Sequence, residues 1–186
     1  MISFCVSFPF AIRSLPFPKS ESPQEGFPLN ESPQTFRVYG AWQGLTAGQG
    51  DLASSFSNLR MPFSAPVADG GQPGLTSPEE LLLGSAVAAY CTAFMELAGQ
   101  MALDLSELQI EGELLRSFDE IDGQVLRELR LKPHAVLRTG IGFEKVHDMF
   151  RRAASLAEHR SPVLRALGSA MRIRIESSFG DAAERG

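Results

Sequence analysis

From Leu81 to Met95 the chain runs through fifteen residues without a charge, directly after Ser77-Pro78-Glu79-Glu80. Ser77 suits an N-cap and Pro78 the first helical position. Glu79 and Glu80 complement the positive end of a helix dipole, and Glu80 completes a capping box with Ser77. These signals predict a helix over Pro78–Ala102. A helix that is apolar all round has to be covered on every side. The rest of the chain must therefore wrap around this one segment. The helix also carries Cys91, one of only two cysteines. A thiol there is either a redox centre or an inert core sulfur.

The chain has 186 residues, enough for one domain with an appendage and a real core. A net charge of −5 argues against nucleic acid as a partner, which would need clustered Lys and Arg. Charge is unevenly placed. Between Arg60 and Arg116 there are eight carboxylates and no Lys or Arg, whereas the chain from Arg116 onward is slightly basic. This pattern predicts an acidic half packing near a basic half, within one chain or across a subunit interface, or solvated faces of both signs. Two cysteines make no disulfide scaffold, so a reducing cytoplasm is expected. The fifteen charge-free residues fall short of the roughly 20 of a membrane span, and no membrane is expected as a partner. The apolar N-terminus has no basic start and no small-residue cleavage site, unlike a signal peptide.

Residues 1–34 contain six prolines, with Phe4, Phe8, Phe10, Phe17 and Phe27 among them. Proline at this density forbids regular helix and central strand. Five phenylalanines seek cover. The expectation is an extended arm lying over the domain or its neighbour. Residues 35–180 form the domain, and 181–186 a short tail. Within the domain, Thr35–Trp42 and Asp51–Phe63 read as two strands of a hairpin. Ala65–Ser77 is a glycine-rich loop. After the central helix come strands near Leu108–Leu115 and Val125–Leu137, with Pro133 at an edge or in a bulge. A second helix runs from Gly142 or Phe143 to about His159, and Ser161-Pro162 breaks it. Val163–Leu167 adds a helical turn, and Met171–Phe179 a last strand. The order ββ-α-ββ-α-β predicts an α+β domain with a sheet around a buried helix.

Several chemistries have no residues to carry them. His134, His147 and His159 lack metal-ligand spacing. Gly70-Gly71-Gln72-Pro73-Gly74 lacks the lysine and strand of a phosphate loop. There is no Gly-x-Ser-x-Gly elbow. No cofactor or metal is expected.

The thiol remains, and its setting resembles a known family. The run Pro78-Glu79-Glu80-Leu81-Leu82-Leu83-Gly84 opens a small-residue helix with a cysteine. Leu105 and Leu108 lead into a strand, and Ala157-Glu158-His159-Arg160-Ser161-Pro162-Val163 precedes an Ile-rich strand. Over about residues 36–179 this is similar to the OsmC/Ohr superfamily. The resemblance implies an intertwined homodimer with two buried central helices. It also implies reduction of organic hydroperoxides by a reactive cysteine in the central helix. A second cysteine, in a Cys-Pro step, resolves the sulfenic acid, and an arginine and a glutamate tune the first thiol. The glutamate matches Glu79. The reactive cysteine position holds Ala89 and the resolving one Ser161. The arginine expected between Gly44 and Gly50 is absent. Cys91, two residues past Ala89, should point about 200° away from it.

A reactive thiol needs a cation or a helix N-terminus to lower its pKa. Cys91 lies more than three turns into its helix. Only a distant Arg37, Arg60, Arg116 or Arg160 could supply the charge. The favoured reading is an OsmC-like, stress-related protein without the two-cysteine peroxidase machinery, binding a small apolar ligand at the dimer cleft. Its rivals are a one-cysteine hydroperoxide reductase using Cys91 with Glu79, and a structural dimer whose Phe-rich arm swaps between protomers.

Overall fold

The structure, a computed structural model, describes residues 35–45, 47–54, 57–137 and 143–181. The arm at 1–34 and residues 182–186 of the tail lie outside the described residues, as does the earlier start of the second helix at Gly142. The chain divides into two compact units, Met1–Ser77 and Pro78–Gly186.

The first unit holds a three-stranded antiparallel sheet of β1 (Val38–Gln43), β2 (Gln49–Ser54) and β3 (Arg60–Ser64), in that order. The strand expected over Asp51–Phe63 is therefore two strands. The run after Ser54 is rich in Ser and Asn, whose side chains favour turns. The Leu59 amide donates to Ser57 Oγ at 3.3 Å, and the Ser54 amide donates to the Leu59 carbonyl at 3.2 Å. The glycine-rich loop is tied down by Ser64, whose buried hydroxyl accepts from the Gln72 amide at 2.8 Å.

The second unit begins with α1 (Pro78–Gln100). The helix ends where Ala102 takes a left-handed backbone, φ 53°. The Leu103 amide donates to the Ala98 carbonyl at 2.9 Å and the Ala102 amide to that of Gly99 at 3.1 Å. This is a Schellman closure with alanine where glycine is usual. A long hairpin follows, β4 (Leu105–Asp119) with β5 (Gly123–Leu137). Then come α2 (Phe143–Arg160), α3 (Pro162–Gly168), β6 (Arg172–Ile175) and β7 (Ser178–Asp181).

The expected last strand is thus two, both parallel to β5. They break at Glu176–Ser177, where the Glu176 amide donates to the Leu131 carbonyl at 2.9 Å. Pro133 sits neither at an edge nor in a bulge. It lies in the central strand β5, paired with Ile110 on β4. Its other side faces the gap between β6, which pairs residues 128–131, and β7, which pairs 134–137. A missing N–H costs little where no ladder partner is present.

The inner face of this sheet carries Ile110, Leu114, Leu129, Leu131, Ile173 and Ile175. They pack with Tyr90 and Phe94 of α1 and with Phe150, Ala153 and Ala157 of α2. The outer face is an ion-pair ladder. Glu111 and Glu113 of β4 pair with Lys132 of β5, and Glu113 also with Arg130. Glu128, which is buried, is held between Arg130 and Arg174. The acidic and basic parts of the sequence meet across one hairpin of one chain.

By length and composition alone α1 is able to cross a membrane, so the argument from fifteen residues does not stand. Its packing against β4, α2 and α3 is that of a core helix. The cover is one-sided, however. Gly84, Ser85, Ala88, Thr92 and Met95 form an exposed, uncharged stretch at helical spacing, bounded by the exposed Glu80 and Glu96. Among the described residues of the second unit, a sheet and two helices cover one side of α1 and the other side is exposed.

Candidate functional site

Tyr90 sets the rotation of α1. Its side chain is fully buried, and its hydroxyl donates to the Ala154 carbonyl of α2 at 2.9 Å. Burial pushes its pKa well above the usual phenol range, so it remains a donor. Successive helical residues are about 100° apart. With Tyr90 fixed inward, Ala89 and Cys91 leave the helix on opposite flanks, both half-buried. The structure does not bring these two positions together. Sequence reasoning passed over Tyr90, although a tyrosine in an apolar helix demands a buried acceptor.

Cys91 is the only cysteine among the described residues, and it is free. Burial pushes its thiol above the ordinary value, opposed only by a backbone hydrogen bond at the residue itself. Glu79 is paired with Arg116 at the start of the helix. Arg116 Nη1 donates to Glu79 Oε1 at 3.1 Å, and both side chains are about three-quarters buried. Glu79 Oε2 is buried without a donor.

Arg116 follows a register shift between Leu115 and Arg116. There Arg127 and Glu128 of β5 both turn to the outer face: Arg127 bonds Ser117 and Asp119, and Glu128 bonds Arg130 and Arg174. A bulge of this kind re-aims neighbouring side chains. Of the four arginines named as candidate cations, Arg116 serves Glu79. Twelve residues separate Glu79 from Cys91, about 18 Å along the helix axis. The ion pair lies three turns from the sulfur. Arg160 reaches Gln100 instead, at 3.4 Å.

Ser161 is buried and caps α3. Its Oγ accepts from the Leu164 amide at 3.2 Å, in front of Pro162 at the first helical position. The hydroxyl oxygen is therefore engaged with the backbone at the start of α3. Among the described residues no group of three or more His, Cys, Asp or Glu is placed to hold a metal.

A sequence model described as OsmC-like protein matches residues 70–176, more than half of the chain. The chain belongs to the OsmC-like family. The fold agrees with that of solved OsmC and Ohr structures. An organic hydroperoxide resistance protein OsmC from Legionella pneumophila superposes with a TM-score of 0.59 at 18% identity, over 78% of this chain and 99% of that one. The organic hydroperoxide resistance protein OhrB of Bacillus subtilis gives 0.54 at 21% identity, over 78% and 98%. An OsmC-like protein from Mycoplasma pneumoniae gives 0.61 at 14%, over 78% and 97%. At these identities the likeness is one of fold. No curated protein sequence matches the chain. The α+β fold of this OsmC-like chain thus stands as expected from sequence, with more strands than expected.

Proposed function

We propose that this OsmC-like protein keeps the family architecture without two-cysteine reduction of organic hydroperoxides. In this reading it is a stress-related protein that dimerises through the open stripe of α1 and takes a small apolar ligand in the cleft between copies. The observation that carries the reading is Cys91. Its thiol is raised by burial, while the arginine nearest the helix start is committed to Glu79. Ala89 offers no sulfur, and the Ser161 hydroxyl caps a helix. The uncharged stripe through Ala88, Thr92 and Met95 supports both the dimer and an apolar cleft.

The test is consumption of an organic hydroperoxide with a dithiol as reductant. Neither the natural chain nor Cys91→Ser should exceed the uncatalysed rate. Brisk turnover that disappears in Cys91→Ser would overturn the reading and install the one-cysteine peroxidase in its place.

A further inference from the structure

The outer face of the large sheet carries a serine–histidine pair. His134 follows Lys132 in the alternation of β5 and so turns to that face. Its register partner on β7 is Ser178. His134 Nδ1 and Ser178 Oγ lie 3.0 Å apart, a hydrogen-bond distance. The imidazole leans along β7. A Cβ built on Gly180 would touch it, 3.7 Å from Nε2 and 3.8 Å from Cε1. One edge of the ring thus faces Ser178 and the other faces Gly180, two residues on. Ser178 is exposed and His134 half-buried. An imidazole at this distance from a hydroxyl is placed to take its proton as the oxygen attacks.

The strand supplies a second element of the geometry. Among the described residues β7 pairs with β5 alone. Alternate residues of a strand paired on one side turn their N–H groups away from the ladder. Either Ser178 or Phe179 therefore points its N–H to the side away from β5. A carbonyl group approaching from that side meets Ser178 Oγ, with His134 behind the oxygen and a backbone N–H beside it. A donor so placed is what a developing oxyanion requires.

We propose that Ser178 and His134 form an acyl-accepting site for small activated esters, separate from α1 and independent of Cys91. Ser178 Oγ attacks the ester carbonyl carbon while its proton passes to His134 Nδ1. The carbon–oxygen bond to the leaving group breaks, and the departing alkoxide takes the proton from His134 as the free alcohol. The product is an ester on Ser178, and nothing is oxidised or reduced. The other hydroxyl beside a histidine in sequence, Ser161, is buried and accepts from the Leu164 amide, so it has no such access.

The probe is p-nitrophenyl acetate, given to the full-length chain, with the acetyl group located by mass spectrometry of the digested protein. Ser177, also exposed, is the internal control. Acetyl should accumulate on Ser178 and not on Ser177, and the Ser178 modification should disappear in Ser178→Ala. His134→Ala should slow it by about 100-fold, the lower end of what a positioned base contributes. Because that variant also loosens β7, His134→Asn is the second variant. Asparagine keeps a hydrogen bond to Ser178 but is unable to take its proton, so it should slow acetylation equally while the urea midpoint stays near that of the natural chain. Absence of acetyl on Ser178, or equal modification of Ser177 and Ser178, overturns the proposal. Acetylation that persists at the natural rate in His134→Asn also overturns it, because the hydrogen bond then serves only to hold the strand.

Discussion

Ser161 and Cys91 are constrained by different physics. The Ser161 hydroxyl satisfies a backbone amide that would otherwise be orphaned in a buried turn. Ser161→Ala should therefore cost about 1 kcal/mol in urea unfolding, with no change in any activity the protein has. Cys91 is limited by solvation. Burial favours the neutral thiol and raises its pKa, so the thiolate fraction at neutral pH falls. Reaction with an aromatic disulfide should be slower in the folded chain than in the unfolded one, with its pH midpoint displaced upward. The linkage has a matching sign. The folded state holds its proton more tightly, so this contribution to stability is complete below the ordinary thiol range. It is lost as pH rises through the raised value. A midpoint below that of the unfolded chain would contradict both statements. The place of Cys91, more than three turns into its helix, was legible in sequence, because distance along one helix is a local property. The Arg116–Glu79 pair was not. It joins residues 37 positions apart, and its geometry depends on a bulge that no local pattern announces.

Among the elements, α1 and α2 were readable almost to the residue, since a capping box and a 3.6-residue period mark them. Strand breaks were harder. The gap between β6 and β7 falls where Pro133 offers no N–H, which is a property of the neighbouring strand. Helix α1 packs closely against β4 at Gly112. A Cβ built there lies 2.8 Å from Leu83 Cδ1 and 2.8 Å from Val87 Cγ2. Gly112→Ala should force the helix and strand apart and cost about 1–3 kcal/mol, read from the urea midpoint. At the other end of α1 the expectation reverses. Ala102 holds a left-handed backbone that glycine adopts freely. Ala102→Gly should raise the midpoint, by somewhat under about 1 kcal/mol once the greater freedom of the unfolded chain is subtracted. A lower midpoint would show that the terminus closes differently.

For the molecule as a whole, the uncharged sequence of α1 predicted complete cover, and the described residues of the second unit cover only one side. The sequence could not show this, because the same apolar pattern serves a core within a chain or between chains. Ala88 lies in the middle of the open stripe and is exposed within one chain. Ala88→Arg should leave the fold intact, because the side chain has room, and should convert a dimer to monomers in sedimentation velocity. A dimer that survives the arginine would place the interface elsewhere. The large sheet of the second unit carries a different consequence. Its middle strand, β5, is complete by Leu137, yet β6 and β7, which hydrogen-bond along one side of it, begin at Arg172. Parallel pairings this distant in sequence form slowly, because a long loop must close before they are rewarded. A ribosome making this protein thus releases the β4–β5 hairpin with one edge bare. That edge waits for residues 172–181, and in this interval a chaperone or a wrong strand has its opportunity.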